Sequence, residues 1–369
     1  MTELPQTADY KSLFLNDIKM MDLRAPAEFS QGAFPQSDNR PLMDDEERQS
    51  VGLRYKEQGQ DSAIELGHQL VSGETKAARL SDWSDFIQQH PQGVLYCFRG
   101  GLRSKITQQW IFENTGIIYP RVEGGYKALR RYLLDELDNN TNKIRPLILG
   151  GRTGSGKTIL LNRLQQKIDL EGLFNHRGSV FGKHVTPQPG QIDIENNLSI
   201  ALLKLANNGT QYILFEDEAP NIGSRNIPKA LYAKMKQSPL LLLEESVETR
   251  TEIIFDEYIV NSLTEYRAAN NRETGFRLWS EELLASLSRV QRRLGGERFK
   301  IIDQMMRDAI QTQIIADDHS QHKEWITKLL TDYYDPMYDY QLTKKNERVV
   351  FQGSSDEITE YLQREYQLI

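Results

Sequence analysis

The chain of 369 residues contains one cysteine, Cys97. A lone thiol excludes an internal disulfide framework and any cysteine-based zinc site. The six histidines show no metal-ligand spacing, so no dedicated metal centre is expected. No apolar run approaches the ~20 residues that span a bilayer, which excludes a transmembrane helix. The opening segment MTELPQTADYKSLFLND is too acidic and too weakly apolar for a secretory signal, so a cytoplasmic location is the default expectation. An excess of positive charge is also absent: the formal charge is −7 and the pI about 5.6. That balance counts against nucleic-acid binding through bulk charge, although a local basic face can sit on an acidic whole. Internal repeats and low-complexity tracts are missing as well.

What is present reads as an ordinary globular composition, with 38% hydrophobic and 26% charged residues. Short apolar strands alternate with helical stretches, the pattern of parallel sheets with crossover connections. Strands are predicted at Ile18 to Leu23, Val94 to Cys97 and Ile117 to Tyr119. Helices are predicted over much of 60–90, from a cap at Ser104, and from Gly124-Gly125 through Leu137. The polar stretch Asp138 to Asn142 marks a boundary. A second α/β unit begins with the strand Leu147 to Leu149 and continues with strands Tyr212 to Phe215 and Leu240 to Leu243. From about residue 280 the apolar spacing turns helical, ending in a helix over Asp356 to Tyr366. The expected organisation is therefore α/β over 1–138, a phosphate-binding α/β domain over 143–275, and a mainly helical region over 276–369.

Two chemical centres stand out. Gly151-Arg-Thr-Gly154-Ser155-Gly156-Lys157-Thr158 matches G-x-x-x-x-G-K-[ST] between a strand and a helix. Glycines let backbone N–H groups converge on phosphate oxygens, Lys157 adds a point charge, and Thr158 can reach Mg²⁺. The acidic strand end Phe215-Glu216-Asp217-Glu218 is the natural source of a facing carboxylate, with Glu216 and Asp217 as candidates. Arg177 and Arg225 are further candidates for the diphosphate site, each weighed against a simple surface role. Nothing in this pattern identifies a nucleotide base.

The other centre is Cys97-Phe-Arg99-Gly100-Gly101-Leu-Arg103-Ser104. A cysteine ending a strand and followed by a glycine-rich loop and a helix start sits among backbone N–H groups that favour an anion. Arg99 and Arg103 add positive charge, so a reactive thiolate is expected. A persulfide or perselenide carrier and a phosphatase-like nucleophile both suit such a thiolate. With no second cysteine in the chain, a carried chalcogen must be released by substrate, an external thiol or the selenium chemistry itself.

Basic residues gather at Arg121, Lys127, Arg130 and Arg131, and again at Arg289, Arg292, Arg293, Arg298 and Lys300. Either group is a candidate RNA-facing surface, though solvated helix faces are the commoner explanation. Tyr333, Tyr334, Tyr338 and Tyr340 fit a core better than base stacking at their spacing.

Several stretches carry a resemblance. Asp22-Leu-Arg24-Ala-Pro-Ala-Glu28-Phe with Gly32 resembles the N-terminal signature of rhodanese domains, and the Cys97 loop lies where their active-site loop does. A rhodanese-like domain fused to a P-loop domain is similar to the bacterial tRNA 2-selenouridine synthase family. Glu123-Gly-Gly-Tyr-Lys127, Asn175-His-Arg-Gly-Ser179 and Tyr333-Tyr-Asp-Pro-Met-Tyr338 extend the likeness over nearly the whole chain. The resemblance implies a selenotransferase acting on the wobble uridine of tRNA. Such an enzyme alkylates 2-thiouridine with geranyl diphosphate, then replaces the geranylthio group with selenium from selenophosphate. It further implies Cys97 as the selenium-carrying nucleophile; no tightly bound cofactor and no membrane partner are expected, and a monomer is the simplest state. A P-loop kinase or ATPase with a sulfur-delivering half, and a non-catalytic sulfur-relay adaptor, are the rival readings.

Overall fold

A computed structural model describes residues 4–368. The chain divides into two compact units, Met1–Asn140 with Gly190–Lys204, and Thr141–Pro189 with Leu205–Ile369. The 276–369 region is thus part of the second unit.

In the first unit five short strands form a parallel sheet in the order Gln6–Thr7, Arg121–Val122, Val94–Tyr96, Met20–Asp22, Ser37–Asn39. Met20, Met21, Leu95 and Tyr96 are fully buried, as strands covered on both faces require. One face packs on Leu13, Phe14, Phe34, Leu129 and Leu133, the other on Trp83, Phe86, Ile87 and Ile111. Helices Gly73–Gln89, Leu102–Thr115 and Gly125–Lys143 supply those layers.

The segment Gly190–Lys204, far along the chain, completes this unit. Its helix, Gln191–Asn207, buries Ile200 and Leu203 in the cluster around Phe14. Ala33 is clamped there, its N–H donating to Asp193 (2.7 Å) and its carbonyl accepting from Asn196 (2.7 Å). Ser199 donates to the Leu133 carbonyl, and Arg130 to Asn196.

The second unit carries another five-stranded parallel sheet, in the order Val349–Gly353, Leu240–Leu243, Arg145–Gly151, Tyr212–Glu216, Lys167–Ile168. The central strands read as continuous apolar runs because both faces are covered. The C-terminal region is more than helical, since Val349–Gly353 closes one edge of this sheet. Helices from Val247 to Thr343 bury Trp279, Leu287, Ile302, Met306 and Trp325 in a core of their own. No helix among the described residues is long and apolar enough to cross a membrane.

Two local expectations are corrected. Ile117 and Ile118 are exposed (40% and 57%) in irregular chain, and the strand forms at Arg121–Val122, where Gln108 and Leu95 capture the Tyr119 and Pro120 carbonyls. Ser104 does not cap its helix. Gly101 takes that place, and Ser104 sits one turn in, donating to the Gly101 carbonyl at 2.9 Å. The boundary stretch Asp138 to Asn142 is helical, continuing Gly125–Lys143 with Asn140 and Thr141 buried, and the two units divide within it, between Asn140 and Thr141.

Candidate functional site

The strand Arg145–Gly151 ends in the Gly151 to Thr158 loop, which must turn through conformations closed to most residues. Gly154 and Gly156 lie at φ +79° and +78°. A Cβ on Gly154 would stand 2.7 Å from Ile254 Cδ1 and 2.8 Å from the Arg250 carbonyl oxygen. Ser155 is 2% exposed and its hydroxyl has no hydrogen-bond partner. Lys157 reaches back to the Gly151 carbonyl at 3.3 Å. The following helix, Lys157–Leu161, has one turn only, so few peptide dipoles add there. Within the loop itself, the pull on an anion rests on the N–H groups and Lys157.

Arg250, 1% exposed, braces this loop. Its Nε donates to the Thr153 carbonyl (2.9 Å), and its two terminal nitrogens grip Asp335 at 2.6 and 3.1 Å. Arg250 carries no sequence signal, and Asp335, 85 positions away, stands out only through the Tyr333 to Tyr338 stretch of the resemblance, with nothing to pair the two.

The loop opens on a cavity of about 930 Å³. Lys157, Thr158, Arg177 and Asp217 line it, with Ile253, Tyr258, Tyr333, Tyr334 and Met337 forming an aromatic and apolar wall. Two π-helical stretches, Asp256–Asn261 and Leu330–Tyr334, carry Tyr258 and the Tyr333–Tyr334 pair. Such widened turns recur at functional sites, where they re-aim side chains.

Carboxylates crowd the other side. Glu216, fully buried, accepts from the Leu170 N–H (2.9 Å) and lies 3.4 Å from the Thr158 hydroxyl. Glu171 accepts from the same hydroxyl at 3.2 Å. Burial, reinforced by repulsion from Glu171, raises the pKa of Glu216 well above the ordinary range, and burial raises that of Glu171 against the opposing pull of Lys157. Glu218, covered beside Glu171, is pushed up to about 8 by the same causes, and burial also raises Glu257. Glu171, Glu218 and Glu257 were not singled out by sequence reasoning; only Glu218 had a signal, in its acidic tripeptide.

The remaining candidates separate. Asp217 lines the cavity but is ion-paired with Lys345 at 2.5 Å. Arg177 lines it too, bound to Glu265 (2.7 Å) and retaining one buried nitrogen without a partner. Arg225 lies outside, its Nε donating to the Pro189 carbonyl at 2.7 Å. Among the described residues, no three His, Cys, Asp or Glu side chains are grouped to hold a metal ion. The Thr158 hydroxyl beside Glu216 does fit a Mg²⁺ that arrives with a diphosphate, since that ion keeps several waters and needs only one or two protein ligands.

In the first unit Cys97 follows the strand Val94–Tyr96 and is 3% exposed, its Sγ 3.4 Å from Ser104 Oγ. The loop beyond it folds against Gly124-Gly125. A Cβ on Gly125 would meet the Cys97 carbonyl oxygen at 2.2 Å and the Gly100 nitrogen at 2.4 Å, so only glycine admits this approach. Cys97, Arg99, Gly101 and Arg103 line a cavity of about 1360 Å³, while Gly100 supports the turn from behind. Arg103 is committed to Glu28, and Arg99 is exposed.

The Asp22 and Arg24 pair lies beneath. Arg24 (1% exposed) grips Asp22 through three bonds of 2.7–3.1 Å, donates to the Glu28 and Gly32 carbonyls, and stacks over Tyr126 at 3.8 Å. Tyr96 donates to Asp22 at 2.7 Å. Of the basic groups, Arg121 is buried, Arg130 is ion-paired with Glu195, Arg131 pairs with Asp135, and Arg289 binds Glu282. Lys127, Arg292, Arg293, Arg298 and Lys300 are exposed.

The family model described as the tRNA 2-selenouridine synthase AAA domain matches residues 144–368. A tRNA 2-selenouridine synthase of Marinobacter nauticus is 51% identical over 98% of this chain and 98% of its own. Proteins of the same name from a Sulfurovum species and from Pseudomonas putida are 47% and 49% identical, over 99% and 97% of this chain and 100% and 97% of theirs. With the phosphate loop inside the matched region and identity sustained over both units, the chain belongs to the tRNA 2-selenouridine synthase family.

Proposed function

We propose that this protein is a tRNA 2-selenouridine synthase acting on wobble 2-thiouridine in two steps. In the first, the sulfur at C2 attacks C1 of geranyl diphosphate. A C–S bond forms, the C–O bond to diphosphate breaks, and the N3 proton is released, leaving a neutral S-geranyl base. In the second, selenium from selenophosphate takes the place of geranylthiolate at C2; hydrolysis of the Se–P bond gives 2-selenouridine and phosphate. The exchange is redox-neutral overall. Cys97 serves this step as a thiolate: its sulfur adds at C2 as geranylthiolate leaves, and the selenium of selenophosphate then displaces it, so no perselenide, oxidant or second cysteine of this chain is needed.

The observation that carries the reading is the make-up of the Lys157 cavity. A loop suited to a diphosphate faces Ile253, Tyr258, Tyr334 and Met337, a wall suited to an apolar chain. In the alkylation step the departing diphosphate is stabilised by the loop N–H groups and Lys157. Arg250 keeps Thr153 in place for this task, and Mg²⁺ bound at Thr158 would add charge neutralisation. A rhodanese-type role for the first unit is supported by its parallel sheet and by Cys97 at a strand end.

The test uses a 2-thiouridine tRNA incubated with geranyl diphosphate and then selenophosphate, with nucleosides followed by mass spectrometry. Lys157→Ala should abolish the geranyl adduct yet select no defect in selenation of pre-geranylated RNA; Cys97→Ala should do the reverse. Equal loss of both steps in either variant, or ATP hydrolysis without any adduct, would overturn the assignment.

A further inference from the structure

The cavity beside Cys97 is larger than selenium delivery requires. Small-ligand clefts measure ~300–1,000 Å³, and this one reaches about 1360 Å³. Its far wall is the helix Asp45–Leu70, which is broken at Gly59 (φ +83°). The two arms fold back on one another, so that a Cβ at Gly67 would lie 3.9 Å from Val51 Cγ2. Over 26 residues this helix fully buries Ala63 alone. Val51, Ile64, Leu53 and Tyr55 instead face the cavity, opposite Ile106 and Trp110.

The mouth is apolar too. Leu53 (56% exposed), Tyr55 (57%), Leu102 (44%) and Phe98 (36%) all line this cavity. Single exposed apolar residues are ordinary, but four around one opening mark a binding surface. Most of the charges at hand are already committed, Arg24 to Asp22 and both Arg103 and Arg48 to Glu28, which leaves, among the described residues, Arg99 and Lys56 as the lining cations not held by an ion pair. What the walls fit is a neutral, extended hydrocarbon reaching in beside the thiol.

Resting on the function proposed above, we infer that this cavity holds the alkyl chain of the S-geranyl base during selenium transfer, presenting C2 to Cys97. The chain is then a recognition handle: the second step selects bases that have completed the first, and unalkylated 2-thiouridine is passed over for want of a group to bury. Leu53, Tyr55, Val51 and Ile64 set that selectivity and take no part in the chemistry.

The experiment compares selenation of two anticodon stem-loop RNAs by the full-length protein, one carrying S-geranyl- and the other S-methyl-2-thiouridine. One methylene in an apolar pocket is worth about tenfold or more, so a preference of at least about a hundredfold in kcat/KM is expected for the geranyl RNA. In Leu53→Ser/Tyr55→Ser, which alters exposed side chains only, that preference should shrink about tenfold, mostly through KM. A second variant, Ile64→Ser, should act in the same direction. Equal kcat/KM for both RNAs in the wild type, or a preference unchanged in both variants, overturns the inference while leaving the functional reading intact. Selenation of neither RNA overturns both.

Discussion

Replacing Arg24 with Met tests what the Asp22–Arg24 signature does. The guanidinium is almost wholly buried, and its removal strips Asp22 of its counter-charge while leaving the Glu28 and Gly32 carbonyls without their donors. Asp22 keeps only the Tyr96 hydroxyl and the Arg24 main-chain N–H as partners. Breaking a buried ion pair from one side costs about 3–5 kcal/mol, because a charge is stranded in low dielectric. The lost carbonyl bonds overlap with that figure and are not added to it. Set against a typical stability of roughly 5–15 kcal/mol, the variant should fold marginally or not at all at 37 °C. Hydrogen exchange through a urea series, read on peptides spanning Met20–Asp22 and Val94–Tyr96, isolates the first unit. Asp22→Asn/Arg24→Met should recover about half of the loss, since no bare charge remains. A cost under about 1 kcal/mol for Arg24→Met, or a double variant as unstable as the single one, would refute this account.

The other predictions concern the phosphate loop. Gly154→Ala forces a side chain into a left-handed position against Ile254 and the Arg250 carbonyl, so pyrophosphate binding measured by calorimetry should weaken at least about tenfold; near wild-type affinity would contradict the loop geometry. Asp335→Asn should release part of the grip on Arg250 and lower alkylation while leaving selenation of pre-alkylated RNA unchanged, and equal effects on both steps would count against it. Glu218 gives a pH test. Its pKa is raised from 4.5 to about 8, so between those values the folded protein holds a proton that the unfolded chain has released. Stability therefore declines as pH rises across that window and levels off above it. Glu218→Gln should flatten the decline, as read by urea midpoints from pH 5 to 9, and an unchanged slope would exclude Glu218 as its source.

The parts legible in the sequence are those where local rules and tertiary context agree. Leu147 to Leu149 and Leu240 to Leu243 are apolar throughout because each strand is covered on both faces, and the glycines of the phosphate loop sit where the backbone turns left-handed. Legibility failed where an apolar or polar label was decided by distant partners. Ile117 and Ile118 look like a strand but face solvent, while Asn140 and Thr141 look like a linker and are buried in a helix. The Arg250–Asp335 brace is invisible for a different reason: a buried ion pair between separate helices leaves no periodicity to read. The affiliation of Gly190–Lys204 was equally hidden, since its apolar face at Ile200 and Leu203 matches any neighbouring layer.

That last segment has a consequence for synthesis. Translation completes residues up to Asn140 well before Lys204, a lag of 64 residues. At ~5–20 residues per second, the nascent first unit waits roughly 3–13 seconds for its final helix. Through that interval Phe14, Phe34 and Leu133 lack the cover of Ile200 and Leu203, and Ala33 lacks both of its clamps. The strand bearing the phosphate loop has by then left the ribosome. Emergence order and folding order therefore part company in this chain, and a fragment ending at Asn140 should come off the ribosome sticky and seek chaperones. Cys97 stays on an unfinished scaffold until the loop from Gly151 to Thr158 has itself been made.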